Sequence, residues 1–183
     1  MENSTMPLPA SFIDALISPG PDRADRMALY AFLVGQWEMD AVFHLDDGAT
    51  RKSRGEIHAA WTLAGRAIQD VWIVPRRDGS APSLPDGLSY YGTTLRIYDP
   101  GLDAWHILWN DPVQQAYGHQ IARAQGRDIV QEGTYGDGIR IRWSFCEITA
   151  SSFHWRGERW DEATSAWRLR SEYFARRIGR PDD

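Results

Sequence analysis

A single cysteine, Cys146, excludes any internal disulfide in this chain of 183 residues and suits a reducing compartment. Long apolar runs are missing as well. No stretch approaches the ~20 residues that a membrane-spanning helix needs. Met1 to Pro9 lacks the basic and apolar regions of a signal peptide, so a cytoplasmic protein with no membrane partner is expected. Positive charge is in deficit. Twenty Lys and Arg against 25 Asp and Glu give a net charge of −5, leaving no basic field for phosphates, so nucleic acid is not an expected partner. The five histidines include no His-x-His or His-x-x-x-His, so no zinc or non-haem iron centre is expected. Ser/His/Asp order, Cys-x-x-Cys and phosphate-cradling loops are absent as motifs. Gly133 to Gly138 is rich in glycine but joins strand to strand, which reads as a hairpin turn.

Aromatic rings are abundant: the chain carries nine tryptophans. From Gln36 to Leu45 apolar residues take every second place, the signature of a strand with one dry face and one wet face. The pattern recurs, punctuated by Asp47-Gly48, Asp78-Gly79, Asp86-Gly87, Asp99-Pro100-Gly101 and Asp137-Gly138. Strands are expected near 36–45, 53–62, 66–75, 89–98, 104–110, 115–123, 128–135, 139–148, 152–160 and 167–176. Ser11 to Ile17 reads as a short helical turn. A helix through Met27, Tyr30 and Leu33 is expected to follow, with Asp22 at its N-cap and Asp25 as acidic partner.

The expected organisation is a partly disordered lead-in over 1–21, one domain over 22–177 and a tail over 178–183. Ten strands in an open sheet would leave two sticky edges and uncovered faces. The fold class is therefore mainly β: a closed antiparallel meander barrel of about ten strands, with an N-terminal helix plugging one end. The irregular stretch from Pro75 to Gly87 is long enough to sit over a binding mouth.

Gly35-Gln36-Trp37 at the first strand resembles the Gly-x-Trp signature of the calycin superfamily, the lipocalins, fatty-acid-binding proteins and their bacterial relatives. The resemblance implies that Trp37 packs at the closed end beneath an arginine of the last strand, for which Arg168, Arg170 and Arg176 are candidates and Arg170 is chosen. Ala31 to Trp37, Gly65 to Trp72 and Tyr91 to Pro100 are similar to a bacterial family of lipocalin-like barrels of unassigned function. The resemblance spans most of 25–177 and implies the fold more than an activity.

Trp61, Trp72, Trp109, Trp143 and Trp155, with Tyr91 and Tyr117, are the candidate ligand-binding residues, walls for a flat apolar or aromatic molecule. Asp70 shares a face with Ile68, Trp72 and Val74. If that face points inward, Asp70 is a carboxylate in an oily wall, with Arg66 as a candidate partner. Glu132 poses the same question, and His119 is the best inward histidine. His44, His58 and His154 share faces with charged residues and are expected outside. Cys146 reads as a buried small hydrophobe, not a nucleophile.

The leading function is binding of a small apolar or aromatic molecule inside the barrel. The alternative is an isomerase, cyclase or hydrolase using Asp70 or Glu132 as acid/base with His119 or Tyr91 as partner. No cofactor is expected. Haem, as the resemblance allows, would need His154 or His119. A homodimer stays open.

Overall fold

Alternation translates into strands throughout the computed structural model, which describes residues 10–85 and 87–179. Two helices, α1 (Ala10–Leu16) and α2 (Ala24–Ala31), precede ten strands. These are β1 (Gly35–His44), β2 (Thr50–Thr62), β3 (Ala67–Val74), β4 (Tyr90–Asp99), β5 (Ala104–Asp111), β6 (Ala116–Gln125), β7 (Asp128–Tyr135), β8 (Arg140–Cys146), β9 (Ser152–Asp161) and β10 (Ala166–Ile178). Each pairs antiparallel with its sequence neighbours, and β1 pairs with β10 as well. The order β1-β10-β9-β8-β7-β6-β5-β4-β3-β2 therefore closes, and these ten strands keep no free edge. The closed antiparallel meander expected from the sequence is the fold.

Departures are local. β10 runs to Ile178, into the segment read as tail. Residues 1–9 and 180–183 lie outside the described residues, and with them the first part of the expected lead-in and the end of the tail. Asp86, half of one turn signal, lies outside them too. The helix expected from Asp22 starts at Ala24, with Arg23 at its N-cap and no side-chain capping bond. Asp22 is drawn away by the β2–β3 turn: its N–H donates to the Gly65 carbonyl at 3.1 Å, and its carboxylate meets Arg66 at 3.5 Å.

α2 closes one end of the barrel. Its buried stripe, Met27 and Tyr30 with Leu33 just beyond, drops onto Trp105 and Phe145, whose rings meet Tyr30 edge-on at 5.1 and 6.0 Å. Trp37 lies at the same end, its indole N–H donating to the Leu33 carbonyl at 2.8 Å. The arginine over its ring is Arg177, at 4.1 Å from the centroid, and not Arg170. Trp37 and Arg177 are direct cross-strand partners, which settles the choice by register. The same guanidinium donates to the carbonyls of Val34 and Phe32 as the chain leaves α2. Gly35 is required here: its φ is +125°, and a Cβ would stand 2.5 Å from the Arg177 guanidinium.

Candidate functional site: an aromatic cavity under a cationic rim

Above the aromatic plug lies a buried polar layer. Asp70 on β3 is fully buried, as expected if its face turns inward. Its partner is Arg96 on β4 and not Arg66, which is taken by Asp22. Arg96 donates through Nε to Asp70 at 2.8 Å and through Nη1 to the Gln131 side-chain carbonyl, also at 2.8 Å. The Thr94 N–H donates to Asp70 at 3.2 Å, and the Gln120 amide donates to the Gln131 backbone carbonyl at 3.2 Å. The Arg96 guanidinium also lies over the Tyr30 ring at 4.8 Å and the Phe145 ring at 5.4 Å. The buried guanidinium and carboxylate are tolerated here because they meet each other, while the Gln120 side-chain carbonyl and the Gln131 amide nitrogen find no partner among the described residues. The pairing occupies both carboxylate oxygens of Asp70.

Between this layer and the open end, the interior is not filled. A cavity of about 250 Å³ opens at the end opposite α2. Trp72, Trp109, Trp143 and Trp155 wall it, joined by Tyr90 and Tyr173. The rings brace one another: Trp155 lies flat on Tyr173, with centroids 4.6 Å apart and planes 9° apart, while Trp109 meets Trp143 edge-on at 5.9 Å. Two glycines give the indoles room to lie along the wall. A Cβ on Gly157 would stand 2.6 Å from the Trp155 ring, and one on Gly92 would run into Trp109. Burial pushes the Tyr173 phenol up to about 12 and raises that of Tyr90 well above its usual value, so both are neutral hydroxyls at neutral pH. The indole N–H of Trp72 and the Tyr90 hydroxyl have no hydrogen-bond partner among the described residues, an uncommon state for buried polar groups.

The mouth is framed by the 75–89 segment and the strand ends. Gly87 and Leu88 line the cavity, and Gln114 ties them down through its amide, which donates to the Gly87 and Ser89 carbonyls at 2.9 and 2.8 Å. At its other end the segment is pinned by Arg77, whose Nε donates to Glu56 at 2.6 Å. Asp111 also faces the cavity, but its carboxylate caps the β5–β6 turn, accepting from the amides of Val113 and Gln114. Across the mouth stand Arg159 and Arg170. Arg170 reaches the rim because the β9–β10 register shifts between Leu169 and Ser171, a bulge that re-aims the extra residue.

The remaining candidates lie elsewhere. Tyr91 and Tyr117 are on the outer surface, 46% and 48% exposed. Trp61 is buried outside the cavity lining. Glu132 is exposed on the outer face of β7, so it does not converge with Asp70. His119 is also exposed: it stacks on His106, with ring nitrogens 3.0 Å apart. His154 sits outside the barrel, bonded to Glu172 at 3.0 Å and stacked on Phe174. Neither His119 nor His154, the histidines named for haem, faces the lumen. Cys146 is half-buried on the outward parity of β8, and burial pushes its thiol up to about 11, which leaves it a poor nucleophile.

Sequence reasoning missed Tyr90 and Tyr173. The signal for Tyr90 was its parity with Gly92, Thr94 and Arg96. Tyr91 cannot face inward on the same strand if Tyr90 does.

No family model and no curated protein matches the chain. Among solved structures, Rv2717c from M. tuberculosis is similar with a TM-score of 0.59 at 11% identity, covering 89% of this chain and 99% of that one. The S-type phycobiliprotein lyase CPES from Guillardia theta is similar with a TM-score of 0.57 at 12% identity, covering 83% and 92%. At such identities the likeness is one of fold alone, and the closed ten-strand meander fits the calycin-like architecture that the sequence resemblance implied, without assigning a family.

Proposed function

We propose that the barrel binds a small aromatic molecule, its rings held between the indoles of Trp72, Trp109, Trp143 and Trp155. The observation that carries this reading is the unfilled volume: an interior built largely from rings still keeps about 250 Å³ open toward one end. That volume exceeds the ~150 Å³ apolar cavity that takes up benzene. It falls just short of the ~300–1,000 Å³ of drug-sized pockets, which favours a body of one or two rings. The G. theta neighbour, alike in fold, is named as a phycobiliprotein lyase, and that name supports a ligand-handling use of the fold here. Membership in the bacterial lipocalin-like family and a cytoplasmic setting belong to the same reading. Catalysis by Asp70 is the weaker alternative, because Arg96 and the Thr94 amide already occupy its carboxylate.

The test is a titration of neutral one- and two-ring compounds, 2-naphthamide among them, followed by tryptophan fluorescence and by the unfolding temperature. Quenching with a rise in Tm is expected. Trp143→Ala, which removes a ring from the wall, should weaken 2-naphthamide about tenfold, ~1.4 kcal/mol. A wild-type protein indifferent to the whole series in both measurements overturns the proposal.

A further inference from the structure

The rim of the cavity carries more positive charge than the residues around it neutralise. Arg159, Arg168 and Arg170 come together where β9 meets β10. Arg159 and Arg168 are direct cross-strand partners, and the bulge brings Arg170 alongside. Two carboxylates answer these three guanidinia. Asp46 pairs with Arg170 and lies 3.7 Å from Arg168, and Asp161 lies 3.5 Å from Arg168. Glu158 is spent on the outer side, with Arg142 at 2.8 Å and Arg156 at 3.9 Å. Among the described residues Arg159 makes no ion pair. Its guanidinium stands 5.3 Å from the centre of the Tyr135 ring, a stacking that holds the side chain against the cavity wall.

A guanidinium that lines a pocket and leans on a tyrosine, with no carboxylate in ion-pair contact, keeps donors for an incoming anion. Its surroundings are one-sided. The uncompensated carboxylate on the lining, Asp111, belongs to β5, separated from β9 by β6, β7 and β8, and it points its charge at the turn amides it caps. The cavity is thus polarised: indoles in its body, a spare cation at the β9–β10 side of its mouth, and a buried carboxylate across from it.

Resting on the binding reading above, we infer that the ligand is an aromatic carboxylate whose rings lie among the indoles and whose carboxylate meets Arg159 at the rim, with Arg170 beside it. This orientation leaves the charged end near solvent, so the desolvation cost is modest, and the apolar body takes the buried position.

The matched pair 2-naphthoate and 2-naphthamide tests this, since the two differ in charge and hardly in shape. Dissociation constants are read from tryptophan quenching at low and high salt. Wild-type protein should bind the naphthoate about tenfold tighter at low salt, as expected for hydrogen bonds to a charged group. The advantage should shrink at high salt. Arg159→Gln should bring naphthoate down to the naphthamide level, while Arg159→Lys should keep part of the preference. Arg140→Gln changes an arginine stacked on the exterior indoles of Trp160 and Trp167, and it should keep all of it. Near-UV circular dichroism checks that each variant retains the packed aromatic interior. Equal affinity for the two probes overturns the anion inference and leaves the binding reading standing. A preference that survives in Arg159→Gln overturns the assignment to Arg159. Binding of neither probe removes both readings together.

Discussion

Two arginines do opposite jobs in this barrel, and burial explains why. Arg96 is buried in the cavity floor, where it is paired with Asp70 and Gln131. Arg177 seals the closed end by covering the Trp37 ring and gathering carbonyls left free where the chain leaves α2. Removing one member of a buried pair strands the other. Asp70→Ala should therefore cost about 3–5 kcal/mol in urea unfolding, and Asp70→Leu combined with Arg96→Met should recover much of it. A double variant no more stable than Asp70→Ala would mean that lost packing, not the stranded charge, sets the cost. For Arg177→Ala the loss should be about 2–4 kcal/mol, summing a cation–π contact and charge-assisted hydrogen bonds. Lysine should restore less than half, because it lacks the planar fork that serves both carbonyls and the indole at once.

At the level of elements, the 75–89 segment is tied to the barrel by ion pairs near its start, Arg77 to Glu56 and Arg76 to Glu38. The Arg77 guanidinium, helped by His58, holds the Glu56 carboxyl at about 2, against its usual 4.5. A carboxyl depressed in the folded state stabilises fully above its unfolded value, and that stability is lost as pH falls toward the folded one. The unfolding temperature should thus decline between pH 4.5 and pH 2, and Glu56→Gln should flatten that decline. A variant curve parallel to wild type would remove Glu56 from the account. The strands themselves were legible in the sequence because one dry face and one wet face leave a period of two in most of them. The exceptions have a common physical cause. β6 carries Gln120 inward and Tyr117, His119 and Ile121 outward, since Gln120 joins the buried polar layer, so hydropathy alone reverses the face of His119. Arg177, which is not among the candidates Arg168, Arg170 and Arg176, was missed for a different reason. Which arginine meets Trp37 depends on the β1–β10 register, and nothing in composition marks that register.

For the whole molecule, the pairing of β1 with β10 joins the two ends of the described strand order, and this has a thermodynamic consequence. The closed-end plug, the polar layer and the walled cavity are stacked along one barrel, and each rests on strands drawn from across the chain. β3 contributes Asp70 to the layer and Trp72 to the cavity. β8 contributes Phe145 to the plug and Trp143 to the cavity, and β10 contributes Arg177 and Tyr173. No layer can come apart while its neighbours keep their strands paired. Urea unfolding followed by tryptophan fluorescence, which reports on the rings, and by far-UV circular dichroism, which reports on the sheet, should therefore give one midpoint and one slope. A ligand held in the cavity should move both transitions together, by an amount set by its concentration relative to its dissociation constant. Fluorescence changing before the sheet signal would show that the aromatic interior loosens while the barrel stays closed, and the layers would then have to be treated as separable units.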